Sequence, residues 1–224
     1  MNVELISYSQ RVGGTNNPAE IVEQAASVCY DSKPTETYRI AKGCAASGHL
    51  SVWEHISFTF HVSGVSRALL TQLTRHRHAS FSVRSQRYCR EDEFEYVNPF
   101  DGDARQYFDD DMGRVRNDYG YYVEDLGVSP EDARMLLPNA CCTELYITMN
   151  ARALIEASRL RLCNRAQKEI RQLFHQMKLR MYAVCPEVAD LMRPSCERNK
   201  NYPYCTERES CGRHPKLKDV YKIG

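Results

Sequence analysis

Arginine, histidine and serine crowd one stretch of this chain. From Arg75 it runs Arg-His-Arg-His-Ala-Ser-Phe-Ser-Val-Arg-Ser-Gln-Arg-Tyr-Cys-Arg90, five arginines and two histidines in sixteen positions, with Ser80, Ser82 and Ser85 interleaved. A planar guanidinium matches phosphate oxygens, and a serine hydroxyl adds a short donor. The formal net charge is only +1, so this pile-up belongs to its place and not to a basic composition. The chemistry indicated is an anion site, with phosphate first. Two other readings stay open on these residues alone. Glu91, Asp92, Glu93 and Glu95 follow at once and could pair with the arginines as a solvated face. Arginine, serine and aromatics together also suit a nucleic-acid backbone, so a phosphate- or nucleic-acid-binding module is the alternative to an enzyme. No second basic run extends the stretch.

Other constellations are weaker. Cys196, Cys205, Cys211 and His214 carry zinc-binding atoms, but eight and five residues separate the cysteines and no C-x-x-C pair occurs. Metal is therefore not the expectation there, nor at His49, His55, His61, His76 and His78. The ten cysteines are scattered through periodic segments, Cys141 and Cys142 side by side, which reads as reduced, packed thiols. The segment Met1-Asn-Val-Glu-Leu has neither a basic nor an apolar leader character. No apolar run reaches the ~18 residues of a membrane span. A cytoplasmic location without membrane or nucleic-acid partners is expected.

The elements that must position the basic stretch follow from periodicity. Val3 to Tyr8 reads as a strand. Asn17-Pro18 opens a helix, and a second covers Thr37 to Ala46 and ends at Gly48. In His55 to Val62, Ile56, Phe58, Phe60 and Val62 alternate with polar residues, the mark of a strand with one buried face. Gly64 is expected to break it, and Val65 to Thr74 to form a helix. Residues 75–90 show neither period. Residues 91–128 read as solvated, with a helix near Asp103 to Val123. Ser129-Pro-Glu-Asp starts a short helix. Glu144 to Met149 reads as a strand, Asn150 to Leu160 as a helix, Asn164 to Val184 as a long helix, and Pro186 starts another. From Arg193 the period is lost. One domain over 1–195 with a loop-rich extension over 196–224 is expected. Phe58 and Phe60 are expected in the core, while Trp53 and Tyr88 could stack on a ring.

At this point the chain resembles the flavin-dependent thymidylate synthase family. Its motif is Arg-His-Arg, seven residues, Ser, then x-Arg-Tyr, matched here by Arg75-His76-Arg77, Ser85 and Gln86-Arg87-Tyr88. Gly48-His49, Ser51 and Glu54-His55 precede the strand as in the family. Ala133-Arg134-x-x-Leu-Pro138, Asn150-Ala-Arg152, Leu160-Arg161 and Ala166-Gln167-x-Glu-Ile170 follow in its order. The resemblance covers roughly residues 1–195, without the segment near 95–125.

The resemblance implies an α+β fold, an antiparallel β-sheet flanked by helices, in a homotetramer whose active sites draw on several subunits. It implies methylation of dUMP to dTMP, with methylenetetrahydrofolate as one-carbon donor, FAD as cofactor and NADPH as reductant, and without an enzymic cysteine nucleophile. Activation of the uracil is then electrostatic, and Arg161 matches the catalytic cation. Ser51, Arg75, His76, Arg77, Val83, Asn150, Arg152 and Glu156 match FAD-binding positions. Gln72, Arg75, Ser85, Gln86, Arg87, Arg134 and Arg161 match dUMP-binding positions. No GxGxxG loop supports the cofactor independently. Ser82-Val83 stands where many members have Asn-Glu, so Val83 offers only its backbone. Glu156 replaces a neutral polar residue and would repel flavin phosphates, and Arg165, in place of a frequent histidine, is expected to compensate it. A paralogue that binds nucleotide without turnover is compatible with these departures.

Overall fold

In chain order the computed structural model comprises β1 (Asn2–Tyr8), α1 (Ala19–Cys29), α2 (Arg39–Ala46), β2 (Ser57–Ser66), α3 (Arg67–Leu73), β3 (Ala79–Val83), α4 (Asp103–Glu124), α5 (Pro130–Ala133), β4 (Cys142–Asn150), α6 (Ala151–Arg161), α7 (Lys168–Tyr182), α8 (Pro186–Leu191) and α9 (Leu217–Val220). Short 3-10 turns occupy Ser51–His55, Arg134–Leu136 and Ser195–Glu197. The structure describes residues 1–198 and 201–220. The four strands form one antiparallel sheet in the order β1-β2-β4-β3.

Two cross-strand contacts give the central register. The Thr59 and Thr148 hydroxyls lie 2.9 Å apart, and the rings of His61 and Tyr146 stand 4.9 Å apart. Two steps forward on β2 match two steps back on β4, which is antiparallel pairing. These residues share the polar face. Phe58, Phe60 and Val62 alternate with them and are fully buried, as are Leu145, Ile147 and Met149 on β4.

Capping explains where the helices begin. Asn17 Oδ1 accepts from the Ala19 N–H at 2.9 Å, Ser66 Oγ from Leu69 N–H at 3.0 Å, and Asn150 Oδ1 from Ala153 N–H at 2.8 Å. Each satisfies a donor that a helix start leaves unpaired. Gly48 has φ +81°, the left-handed value that ends α2.

Gly64 does not break β2. The strand runs to Ser66 through this glycine at φ +65°, where a Cβ would stand 3.0 Å from the Met1 nitrogen. The glycine lets the strand pass a close backbone approach, so the helix expected from Val65 starts at Arg67. Within 75–90 a strand, β3, does form. Its side chains alternate between intermediate and exposed burial without a buried apolar face, so no hydrophobic alternation announced it.

The chain divides into two compact units, one of residues 1–2, 61–75 and 81–147, the other of 3–60, 76–80 and the described residues from 148 onward. In the first, Phe94, Met112 and Cys141 form a buried cluster with Tyr96, Phe108 and Val115 against it. The Arg116 guanidinium lies 5.2 Å from the Phe94 and Tyr96 ring centres. The expectation of a solvated 91–128 is corrected at these positions: aromatics before α4 pack with one side of that helix. Cys141 is fully buried, and burial pushes its thiol up to about 11.

In the second unit α1 packs on α2, and α7 on α8. Ile170, Leu173, Phe174, Met177 and Met181 form one fully buried stripe of α7, each such side chain contributing about 1.5–3 kcal/mol of burial. Trp53 is fully buried, so it packs in the core and presents no ring for a ligand to stack on. In the segment after Arg198, Tyr204 N–H donates to Cys196 at 3.1 Å and Cys205 N–H to Pro215 at 2.7 Å.

Glu23 is a buried carboxylate that the sequence did not single out. It accepts from Thr35 Oγ1 at 2.6 Å, Thr35 N–H at 3.0 Å, Ile40 N–H at 3.3 Å and Ala41 N–H at 2.8 Å. Burial alone would raise its pKa, yet these donors together hold it below 4.5. Glu23→Ala strips the start of α2 of its acceptor and is expected to cost about 2–4 kcal/mol in denaturant unfolding. Because the folded pKa is depressed, the carboxylate's contribution is present above the unfolded value and fades as pH falls through the folded one.

Candidate active site

In the first unit, α3 carries Gln72, and Arg75 stands exposed just past its end. After β3, with Val83 as its last residue, Arg84 N–H donates to the Glu144 carbonyl at 3.0 Å. The loop then turns on itself. Ser85 Oγ accepts from Arg87 N–H at 3.2 Å, and the Ser85 carbonyl from Cys89 N–H at 3.1 Å. The Gln86 amide lies 3.6 Å from Cys141 Sγ. Ser85, Gln86 and Arg87 are thus held in one turn.

Arg87 grips a carboxylate as it would a phosphate. Its Nε stands 2.6 Å from Glu131 Oε1 and its Nη2 3.2 Å from Oε2, a two-pronged contact with both side chains about half exposed. Glu131 starts α5, whose Ser129 cap accepts from Asp132 N–H at 3.3 Å, and Arg134 follows at the helix end. If Arg87 binds a nucleotide phosphate, Glu131 competes with it. Glu131→Gln is expected to tighten binding of a nucleoside monophosphate by up to about fivefold, measured by equilibrium titration.

Arg67 belongs to this region, although no spacing marked it. Its Nη2 donates to the Arg84 carbonyl at 2.8 Å, while its buried Nε has no partner among the described residues. Burial lowers its pKa; Cys141 and Glu91 act to raise it, while Arg134 and Arg84 add to the lowering. Several cations therefore lie near one another here. Pairing with the acids that follow holds for part of the stretch: Arg84 pairs with Glu91 at 3.2 Å and Arg90 with Asp92 at 2.8 Å, but Glu91 is buried, so only the second pair is a solvated one. Among the described residues, no carboxylate pairs with Arg75 or Arg77.

In the second unit, Arg161 ends α6, and its Nε donates to His76 Nε2 at 2.9 Å. Burial lowers the pKa of both, and the charge of Arg161 lowers that of His76 further. His76 is then neutral at pH 7, with its acceptor nitrogen toward Arg161. The ring centre of His76 lies 6.0 Å from that of Phe174. The guanidinium is half-buried and oriented by an imidazole.

At the other end of α6, Asn150 is the N-cap and Arg152 lies in the first turn. Arg152 stands 2.6 Å from Glu54 and 3.2 Å from Glu156. The compensation expected from Arg165 is corrected by this pairing. Arg152, one turn before Glu156, takes that charge, whereas Arg165 reaches Glu207 at 3.8 Å and the Glu209 carbonyl at 3.2 Å. Ser51, itself exposed, opens the 3-10 turn, and Arg77 is exposed. This group can hold an anion: a cation and a hydroxyl are supplied, and the start of an eleven-residue helix adds partial positive charge.

The tail cysteines also meet in the second unit. Cys163 joins Cys196, Cys205, Cys211 and His214 around one small cavity. Among the described residues no three His, Cys, Asp or Glu side chains are placed to hold a metal ion. The Arg213 N–H lowers the thiol pKa of exposed Cys211.

A family model described as thymidylate synthase complementing protein matches residues 4–187. A flavin-dependent thymidylate synthase of Clostridium tetani is 36% identical over 99% of this chain and 97% of its own length. One from Geobacter sulfurreducens is 38% identical over 93% of this chain and 95% of its own. Among solved structures, the flavin-dependent thymidylate synthase of Helicobacter pylori, complexed with FAD and dUMP, superposes with a TM-score of 0.68 at 24% identity, covering 86% of this chain and 98% of that one. That likeness bears on the fold. The match over nearly the whole length carries the conclusion: this chain belongs to the flavin-dependent thymidylate synthase family.

Proposed function

We propose that this protein methylates dUMP to dTMP as a FAD-dependent enzyme, with methylenetetrahydrofolate as one-carbon donor, NADPH as reductant and no enzymic cysteine nucleophile. The observation that carries the reading is the half-buried Arg161 guanidinium, oriented by a neutral His76 at 2.9 Å. A cation kept from water by burial acts strongly on charge that develops beside it. The uracil ring, on gaining enolate character at C5, presents such charge. Arg161 stabilises it, and His76 keeps the guanidinium in place without adding a competing charge.

The nucleotide phosphate is held by Ser85, Arg87 and Arg134, with Gln72, Arg75 and Gln86 beside them. Exchange of Glu131 for phosphate on Arg87 opens the site to the substrate. Ser51, Arg75, His76, Arg77, Val83, Asn150 and Arg152 hold FAD, Val83 through its backbone. The Glu156 carboxylate is offset by Arg152 at 3.2 Å, so it does not bar an anionic cofactor. When bound, FAD supplies the hydride that completes the methyl group. The active form is a cytoplasmic homotetramer whose sites draw on several subunits, so the two groups of residues need not come from one chain. Residues 1–195 carry the activity and 196–224 form an extension.

Colour and turnover test the reading. Protein reconstituted with FAD is expected to show flavin absorbance that dUMP perturbs, and to form dTMP when methylenetetrahydrofolate and NADPH are added. Protein that binds no flavin and shows no response to dUMP would return the chain to the status of a phosphate- or nucleic-acid-binding module.

A further inference from the structure

The second unit holds a cavity of about 1290 Å³, none of whose lining residues is assigned above to FAD or dUMP, with walls from the end of α2, from α6 and α8, and from the segment after Arg193. We infer that this cavity binds an organic anion, with Arg159 and Arg198 holding a phosphate or carboxylate group beside an apolar wall that includes Pro186 and Leu191. The inference rests on the proposed function, whose reaction uses two co-substrates rich in such groups: a phosphorylated nicotinamide nucleotide and a folate ending in glutamate.

Four cations line the cavity, and two are already matched. Lys42 stands 3.4 Å from Glu187, and Arg193 3.9 Å from Asp190. No carboxylate lies within ion-pair distance of Arg159 or Arg198 among the described residues. Arg159 is half-buried; burial, then the charge of Arg198, lowers its pKa, and the more distant Glu156 carboxylate acts the other way without forming an ion pair. Two like charges thus share a wall, one of them partly out of water. A bound anion relieves both costs. Gly48 has φ +81°, and a Cβ there would lie 3.4 Å from Arg198 Nη2, so a glycine sits directly beside the guanidinium. The Ser195 hydroxyl donates to the Arg159 carbonyl at 3.3 Å, tying the following segment to α6. At about 1290 Å³ the cavity exceeds the roughly 300–1,000 Å³ of a usual ligand pocket, so it admits a molecule as large as a phosphorylated nucleotide or a folate with water beside it.

The test uses protein saturated with FAD and dUMP, titrated calorimetrically with 2′,5′-ADP in one arm and p-aminobenzoylglutamate in the other. Saturable binding of at least one probe is expected, weakened about tenfold or more in Arg159→Gln and in Arg198→Gln. Tighter binding of the first probe names a phosphate ligand, of the second a carboxylate ligand. Each variant is expected to keep its dUMP-dependent flavin signal at the original dUMP affinity. Arg198 is exposed, so its variant decides the matter should Arg159→Gln fail to fold. Binding of neither probe, or unchanged affinity in Arg198→Gln, overturns the assignment. Failure of FAD and dUMP to bind in the first place would instead sink the proposed function.

Discussion

Arg161→Ala is expected to lower dTMP formation by about 10²–10³-fold, the usual cost of removing a fixed electrostatic stabiliser, while FAD binding changes little. The physical reason is that the guanidinium ends α6, is half-buried, and is aimed by His76 at 2.9 Å. Alanine removes the charge but leaves the helix intact, because the stability of α6 rests on buried Ala151, Leu154, Ile155, Ala157 and Ser158. Arg161→Lys keeps the charge but not the planar fork, and so is expected to recover only part of the rate. Single-turnover oxidation of reduced flavin in the presence of dUMP and methylenetetrahydrofolate separates chemistry from binding. Near-normal dTMP formation by the alanine variant would remove Arg161 from the mechanism.

The same pair predicts an acid limb. Burial and Arg161 hold the His76 pKa below 6.5. Between that folded value and the unfolded one, the unfolded chain binds a proton that the folded chain refuses, so stability falls as pH drops through this window. Below the folded value His76 becomes a cation facing a cation. The rate is then expected to fall on the acid side, and His76→Asn to shift or flatten that limb.

The second large effect is expected at the phosphate. Arg87→Ala and Ser85→Ala should weaken dUMP binding by about 10–100-fold and by a few-fold respectively, the range for charged and neutral hydrogen bonds. FAD affinity should be spared. Arg87 has the larger effect because its two-pronged contact with Glu131, at 2.6 Å and 3.2 Å, shows the fork already shaped for paired oxygens. Ser85 also accepts the Arg87 N–H at 3.2 Å, so its loss loosens the turn as well as removing a donor. Equilibrium titration of both variants with dUMP checks this, and unchanged affinity in both would contradict the phosphate role. In Glu131→Gln the change runs the other way, so a double variant with Arg87→Ala should show no gain from the glutamine. That non-additivity is the mark of a shared contact.

Much of the fold could be read from local chemistry. The caps at Asn17, Ser129 and Asn150, the glycine at the end of α2 and the alternation through Phe58, Phe60 and Val62 are local rules, each decided within a few residues. β3 escaped because its five residues carry no buried face. The continuation of β2 through Gly64 escaped because the cause, a close approach by Met1, is remote in sequence. The small core of Phe94, Met112 and Cys141 joins segments from before, within and after α4, so no period could announce it.

The order of residue types by itself determined that phosphate-seeking side chains crowd residues 75–90 and that a set of arginines, serine and asparagine recurs in the family's spacing, because type and spacing are properties of the chain. Which of those charges are already matched was decided only by folding. Tertiary contacts put Glu131 on Arg87, Glu54 on Arg152, a neutral imidazole on Arg161, and no carboxylate on Arg159 or Arg198 among the described residues. Coulomb attraction and desolvation depend on distance and burial, and neither is written in the sequence until helices and strands bring distant residues together.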